Sequence, residues 1–254
     1  ELDHMQPESL TDRFASIERH TGKVDILINN GHAAQGSDWT TVTPEQFNQQ
    51  LANATGYFEL SRVFRQHLVD RSAPGSIILL GSMYGVVASY ADAYEGVCPA
   101  SPVAYHALKG GIVHMTRHLA AYWAKDNIRV NCLSPGPFPT EKVPTEMVAR
   151  LTTKLPMKRI GQPHELKGAI VFLASDASSF MTGQNLLIDG GHTLSVGGRA
   201  RSGVGCQATF HPPPVALQRM EFGRLLIKLS QVAARQTLQV GRQEDDQHHQ
   251  ENQD

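Results

Sequence analysis

Short apolar runs alternate along the chain with longer segments in which apolar residues recur every three or four positions. The runs are rich in Ile, Leu and Val, as is typical of buried strands, and the longer segments have the period of amphipathic helices. Strands are predicted at 24–28, 76–80, 128–133 and 185–189. The first is expected to be buried on both faces. Helices are predicted to start near Pro7, Thr43, Pro102 and Pro163, each with a proline or capping residue in its first turn. The alternation favours an α/β fold with a parallel sheet between two helical layers.

The character of the sequence changes after Gly198. Residues 199–254 are rich in Arg, Gln, His and Gly, contain a triple proline at 212–214 and end in a polar run that cannot bury itself. Apolar spacing predicts one amphipathic helix over 216–240. The chain is therefore predicted to have one catalytic domain over 1–198 and a C-terminal appendage over 199–254.

Composition and charge exclude several classes of function. The 254 residues are 41% hydrophobic and carry 23 Lys plus Arg against 24 Asp plus Glu, for a net charge of -1. A nearly neutral chain has no overall field to attract nucleic acid or an anionic membrane, so neither partner is expected. The three cysteines are widely spaced and form no CxxC pair, which argues against a disulfide framework or a zinc ribbon. A cytoplasmic protein without a signal peptide or membrane span is expected.

Three residues are candidates for acid–base chemistry. Tyr105 and Lys109 are four positions apart on a predicted helix, so their side chains share one face. A nearby cation favours phenolate over phenol and is expected to lower the tyrosine pKa. Ser82 follows a predicted strand, at the edge where parallel sheets bind ligands. Taken alone, a structural Tyr–Lys pair and a turn-forming serine remain the alternatives.

Motifs in a fixed order resemble those of the short-chain dehydrogenase/reductase family. They lie at 25–30, 53–56, 81–82, Tyr105 with Lys109, 128–136, 161–176 and 189–191. The resemblance covers about three quarters of the chain. It implies a Rossmann-like doubly wound parallel sheet, and hydride transfer between NAD or NADP and a secondary alcohol or ketone. The choice between the two cofactors stays open, since the residue that decides it normally follows the second strand of the family fold.

The resemblance also implies roles for individual residues. Tyr105 would exchange a proton with the substrate oxygen, which Ser82 would hold by a hydrogen bond. Lys109 would lower the tyrosine pKa and bind the nicotinamide ribose, and Asn53 would position a water that links Lys109 to solvent. The cofactor would be contacted by Asp3, Asn30, Gly31, Tyr105, Lys109, Pro135, Gly136 and Thr140.

Two positions depart from the family pattern. Gly31 and His32 stand where the family has Ala-Gly, which places an imidazole beside the expected cofactor. No Gly-xxx-Gly-x-Gly turn precedes Asn29, although that turn supplies the amides that bind pyrophosphate. An N-terminally truncated domain is therefore expected, with weak cofactor binding, an unprotected first strand and a tendency to associate. The intact family form is expected to be a homo-oligomer.

The loop between Ser82 and Tyr105 bears on the substrate. Its 22 residues exceed the family's usual length there and include several groups that can bind hydroxyls: Tyr84, Tyr90, Asp92, Tyr94 and Glu95. A steroid-type site would instead need an apolar lining. A small polar substrate of the sugar or polyol type is therefore predicted.

Other functions remain open on the sequence alone. The chain could be a non-catalytic pseudoenzyme or interaction fragment of the same family. A serine-hydrolase elbow at 81–85 is disfavoured because its glycines are misplaced for GxSxG. His114 and His118 lie one helical turn apart without a third ligand, so no metal site is expected.

Overall fold

The computed structural model describes residues 2–194, in which four strands form one parallel sheet in the order β1-β2-β3-β4. The strands are Ile26–Asn29 (β1), Gly75–Leu80 (β2), Ile128–Pro135 (β3) and Asn185–Ile188 (β4). Ile28 pairs with Ile78 and Leu133 pairs with Leu186, so the register is continuous across the sheet. Because every pairing is parallel, the carboxyl ends of all four strands meet at one edge, and the loops that follow them converge there.

Helices connect the strands. They are Leu10–Thr21 (α1), Pro44–Asp70 (α2), Ala91–Tyr94 (α3), Val103–Trp123 (α4), Thr145–Lys154 (α5) and Lys167–Ala174 (α6). Helix α2 begins with a capping box, in which the Thr43 hydroxyl accepts from the Gln46 amide (3.3 Å) and the Gln46 side chain accepts from the Thr43 amide (3.0 Å). Helix α5 and the short α3 are additions to the elements predicted from the sequence.

Side chains of β2 alternate between two cores. Ile77 and Leu79 pack with Phe64 of α2 and Ile112 of α4 on one face of the sheet. The residue between them, Ile78, packs on the opposite face with Leu133 and with Leu173 of α6. A strand buried on both sides in this way is typical of doubly wound sheets. The structure thus confirms the Rossmann-like α/β fold.

Strand β1 differs from its sequence-based prediction. Ile26 is 44% exposed and Ile28 is 41% exposed, so the expectation of burial on both faces is wrong. The reason is that β1 lies at the edge of the sheet, where no strand within residues 2–194 pairs with its outer side. The unprotected edge expected for this strand is therefore present in the described part of the chain.

Two further predictions concern the C-terminal segment and the length and apolarity of the helices. The proposed appendage at 199–254, with its helix at 216–240, lies outside the described residues. None of the helices within residues 2–194 combines the length and apolarity needed to cross a bilayer.

Candidate active site

Ser82 lies directly beyond the carboxyl end of β2. Its hydroxyl accepts a hydrogen bond from the Tyr84 amide (3.2 Å), which fixes the side chain at the start of a 3-10 turn over Met83–Gly85. The preceding residue, Gly81, has no room for a side chain, because a Cβ there would lie 2.4 Å from Ser134 Oγ and 2.6 Å from Cys132 Sγ. A glycine at this position therefore lets β2 and β3 pack closely immediately before the serine.

Tyr105 and Lys109 lie on consecutive turns at the start of α4. The Lys109 ammonium donates to the carbonyl of Leu80 at 2.7 Å, which ties the helix to the end of β2. The same nitrogen lies 5.6 Å from the centre of the Tyr105 ring. The Ser82 hydroxyl lies near enough to the Tyr105 phenol to favour its ionised form, which by itself lowers the pKa of Tyr105. The fold therefore brings Ser82, Tyr105 and Lys109 together at the carboxyl edge of the sheet.

Burial controls the protonation of this group. Loss of hydration lowers the pKa of Lys109 to about 8. Burial raises the pKa of Tyr105 above its ordinary value, and the Ser82 hydroxyl only partly opposes this effect. Desolvation of the phenolate therefore outweighs the lowering expected from the site, and the net direction of the Tyr105 pKa is upward.

Asn53 is a buried residue of α2 with all its hydrogen-bonding positions in use. Its Oδ1 accepts from the Ala33 amide (2.8 Å) and lies 2.9 Å from His4 Nε2. Its Nδ2 donates to the carbonyls of Ala33 (3.0 Å) and Gln50 (2.9 Å). An amide side chain offers two donors and two acceptor positions, so none remains for the water expected here. The side chain instead anchors the segment that follows β1.

The residues expected to bind cofactor are spread along the same edge of the sheet, with one exception. Asn30 and Gly31 are exposed directly after β1. Gly136, at the end of β3, donates to the carbonyl of Ile188 at 2.9 Å. Pro135 precedes it and Thr140 is exposed in the loop beyond. The exception is Asp3, which does not follow a strand: its carboxylate accepts from the Met5 amide at 2.9 Å in a turn before α1, and the ring of its neighbour His4 packs against Gly31.

These residues fit one half of a dinucleotide. Lys109 has two N–H groups beyond the one it donates to Leu80, and it can offer them to ribose hydroxyls next to Tyr105. The described part of the chain therefore offers groups that suit the nicotinamide end of NAD or NADP.

His32 stands beside the tyrosine, as the departure from the family pattern suggests. Its ring lies 5.4 Å from the ring of Tyr105, in an edge-to-face arrangement. Its Nε2 is 2.7 Å from the side-chain nitrogen of Gln50. Loss of hydration, followed by the charge of Lys109, lowers the pKa of His32 to about 4. A neutral imidazole therefore adjoins the reacting groups at physiological pH.

Aromatic side chains extend away from Ser82 and Tyr105. Tyr84 stacks on His106 (ring centres 4.7 Å apart) and meets His192 edge-on at 6.1 Å. Tyr90 contacts the other side of His192 at 5.1 Å. We call these four residues the aromatic wall. The tyrosines were among the residues expected to bind substrate, whereas the two histidines were missed, although His106 lies between Tyr105 and Lys109 and His192 directly follows the motif at 189–191.

The loop polar groups are only partly available to a substrate. The hydroxyls of Tyr84 and Tyr94 bind each other at 2.8 Å. Asp92 and Glu95 are exposed, and Asp92 forms an ion pair with Lys154. The Asp92 carboxylate is thus paired with α5, whereas the Glu95 side chain is exposed, and a role of either in substrate binding stays a prediction.

Helices α3 and α5 form a roof next to the aromatic wall. Arg150 of α5 donates to the carbonyls of Asp92 (3.0 Å) and Glu95 (2.6 Å), next to the ion pair of Lys154 with Asp92. Beneath these polar contacts lies an apolar cluster of Ala93, Tyr94 and Leu151, with Tyr90, Cys98 and Met147 packed against it. These contacts join the loop after Ser82, which contains α3, to the loop after β3, which contains α5.

The other chemistries considered find little support in the described residues. The Ser82 hydroxyl is engaged by the Tyr84 amide and lies near the Tyr105 phenol, and no hydrogen bond joins it to a histidine within residues 2–194. Over the same range, no three His, Cys, Asp or Glu side chains are grouped so that they could hold a metal ion.

Comparison with known proteins identifies the relatives of this architecture. The sequence model of the family described as enoyl-(acyl carrier protein) reductase matches residues 1–193. The chain is 38% identical over 196 residues to D-arabinitol 2-dehydrogenase (ribulose-forming) of Candida tropicalis, covering 73% of this chain and 66% of that protein. It therefore spans about two thirds of the length of that relative.

Two solved structures have a fold similar to that of this chain. A short-chain dehydrogenase from Leptospira borgpetersenii with bound NAD+ superimposes with a TM-score of 0.70 at 35% identity, covering 76% of this chain and 74% of that one. A gluconate 5-dehydrogenase from Burkholderia cenocepacia J2315, in complex with NADP and tartrate, gives a TM-score of 0.69 at 29% identity over 77% and 74% of the two chains. The ordered motifs, the fold and these matches show that the chain belongs to the short-chain dehydrogenase/reductase family.

Proposed function

We propose that this protein transfers a hydride between NAD or NADP and a secondary alcohol or ketone carbon of a polyol or sugar-like substrate. The observation that carries the proposal is the placement of the Tyr105 phenol next to the Ser82 hydroxyl and beside the buried ammonium of Lys109. The family membership supports the reaction class. The names of relatives that act on D-arabinitol and gluconate support a polyhydroxylated substrate.

Tyr105 and Ser82 handle the substrate oxygen. In ketone reduction, the Tyr105 phenol gives its proton to the carbonyl oxygen while the Ser82 hydroxyl donates a hydrogen bond to the same atom. NADH or NADPH, when bound, supplies the hydride that the carbonyl carbon receives. In alcohol oxidation the proton moves in the opposite direction, from the substrate hydroxyl to the Tyr105 phenolate.

Lys109 supports both the tyrosine and the ribose. Its charge, 5.6 Å from the Tyr105 ring centre, stabilises the phenolate that exists before or after proton transfer. Its remaining N–H groups bind the ribose hydroxyls. We also propose that Asn30, Gly31, Pro135, Gly136 and Thr140 border the cofactor, with Asp3 beside the adenine, and that Asn53 acts by holding the segment after β1.

The experiment that tests this function compares two tyrosines of helix α4. Purified protein is assayed by nicotinamide absorbance with polyols and ketoses, using saturating NAD+ or NADP+. Tyr105→Phe is expected to reduce turnover by about 100-fold or more, since it removes the proton donor. Tyr122→Phe is the matched control, because Tyr122 is exposed on the same helix and contacts only His118 among ring partners of the described residues.

Two outcomes contradict the proposal. If Tyr105→Phe retains the activity of Tyr122→Phe, Tyr105 is not the acid. If the folded protein turns over no alcohol or ketone with either cofactor, the alternative of a non-catalytic interaction fragment takes its place.

Compartment and assembly are proposals of the same kind. The free thiols of Cys98 and Cys132 suit a reducing compartment such as the cytoplasm. We propose a homo-oligomer on the basis of the family, and native mass measurement tests it.

A further inference from the structure

His192 is a fully buried side chain whose polar atoms lack partners. It is 0% exposed, and neither ring nitrogen has a hydrogen-bond partner within residues 2–194. Leaving a buried polar group unpaired destabilises the fold, so such groups usually have a function or a bound partner. Among the described residues, Tyr57 also has a buried polar side-chain atom, its hydroxyl, without a hydrogen-bond partner. Its ring lies beside Lys109 and His4 and is not part of the aromatic wall.

The neighbouring carboxylate cannot satisfy His192. Asp189 is three positions earlier, but its Oδ1 accepts from the Gly191 amide (2.9 Å). Its Oδ2 accepts from the amide (2.9 Å) and hydroxyl (2.7 Å) of Thr193. The carboxylate thus shapes the turn that carries His192 and leaves the imidazole unpaired.

The aromatic wall connects His192 to the reacting groups. Its ring meets the edge of Tyr84, whose amide donates to the Ser82 hydroxyl. Tyr84 also stacks on His106, the residue that follows Tyr105. Direct ring contacts therefore link the region of Ser82 and Tyr105 to His192.

We propose that His192 binds a substrate hydroxyl remote from the reacting carbon and thereby selects polyhydroxylated substrates. A neutral imidazole has one donor and one acceptor, and an alcohol hydroxyl can serve either. The hydroxyl of Tyr84 is bound to that of Tyr94, so it does not satisfy the buried imidazole of His192. Burial also lowers the pKa of His192, so the ring is neutral at physiological pH. The inference rests on the proposed function.

Residues of the roof lie next to His192 and would border a ligand bound there. Tyr90 contacts His192 on one side, and the Lys154 ammonium lies 5.3 Å from the centre of the Tyr90 ring. A polyol reaching His192 would therefore lie beneath α3 and α5. An apolar chain of the same length would leave the imidazole unpaired, which gives the wall a preference for hydroxylated ligands.

The kinetic test compares a polyol with a secondary alcohol that has no other hydroxyl. His192→Phe keeps the ring packing and removes both hydrogen-bonding atoms. We expect it to raise KM for the polyol by about three- to tenfold, with kcat and the values for the simple alcohol nearly unchanged. His192→Gln is expected to recover part of the loss. Equal changes for both substrates would overturn the inference.

A second test needs no activity. His192→Phe is expected to unfold at the same temperature as the wild type or higher, because an apolar ring replaces an unpaired polar one. His106→Phe is the matched control: its Nε2 is bonded to Ser101 Oγ at 3.0 Å, so that variant is expected to lose stability. A similar loss in His192→Phe would show that His192 has an internal partner, and would overturn the inference.

Binding separates this inference from the proposed function. With labelled histidine, the polyol alone is expected to shift the NMR signal of the His192 imidazole, and the simple alcohol is not. If the wild type turns over no alcohol, the proposed function fails, while the shift still decides the role of His192. If the polyol causes no shift at saturating concentration, His192 is not a hydroxyl-binding residue.

Discussion

The buried charge of Lys109 should appear as a pH-dependent term in the stability of the protein. The side chain is 5% exposed, and its pKa falls from the ordinary value of 10.5 to about 8. The perturbation is Lys109→Met, which keeps the length of the side chain and removes the titrating group. The variant also loses the hydrogen bond to Leu80, which changes its stability at every pH. The informative quantity is therefore how the difference in free energy of unfolding between wild type and variant changes with pH.

The sign follows from proton binding. Between about pH 8 and 10.5 the unfolded chain holds a proton on this lysine and the folded protein does not. The free energy of unfolding of the wild type therefore rises with pH, relative to Lys109→Met, across that window. A shift from 10.5 to about 8 corresponds to about 3 kcal/mol at 1.36 kcal/mol per pKa unit. Below about pH 8 Lys109 is protonated in both the folded and the unfolded wild type, so the difference in free energy of unfolding between wild type and variant does not change with pH.

Urea denaturation at intervals from pH 7 to 10.5 measures this difference directly. Titrating groups that do not interact with Lys109 are present in both proteins, and their contributions cancel when the two curves are subtracted. A difference that stays constant over the whole range would refute the reasoning, because it would mean that Lys109 is hydrated in the folded protein. A difference that falls with pH would show that an acidic partner raises its pKa.

Three further predictions concern the fold around the site. Asn53→Ala should lower the free energy of unfolding by about 2 kcal/mol, since it leaves the amide and carbonyl of Ala33 unpaired; urea denaturation measures this loss. Gly136→Ala should destabilise the protein by about 1–3 kcal/mol, because the new Cβ would lie 2.4 Å from Asp189 Cα. Gly111→Ala, with open space at its Cβ in helix α4, is its control and should be neutral or stabilising. Removal of residues 199–254 should leave the midpoint of thermal unfolding nearly unchanged, and a large drop would show that the appendage supports the core.

The sequence predicted the elements whose apolar pattern and boundary residues lie within the element itself. Strand β2 and helix α4 have strong apolar patterns and clear boundaries, and the four-residue spacing of Tyr105 and Lys109 placed them on one helical face. Helix α5 was not predicted, since it has one buried residue, Leu151, and is stabilised by contacts with α3. Such contacts between distant segments leave no periodic pattern in the sequence.

Properties that depend on neighbours in space were less predictable. The direction of the Tyr105 pKa reflects burial, which no spacing rule contains. The exposure of Ile26 and Ile28 depends on the position of β1 in the sheet rather than on its apolar composition. His192 looked like an ordinary polar residue after a glycine pair, and only its complete burial distinguishes it.

The contacts of the roof have a consequence for how this enzyme family could change its substrates. The loop after Ser82 and the loop after β3 are separate in sequence, but Arg150 and Lys154 join them to the same short helix. The ion pairs are exposed and weaken in salt, whereas the cluster around Leu151 does not. An insertion or deletion in either loop must therefore preserve the fit of the other. The two loops are expected to evolve as one unit, with paired changes of length and charge.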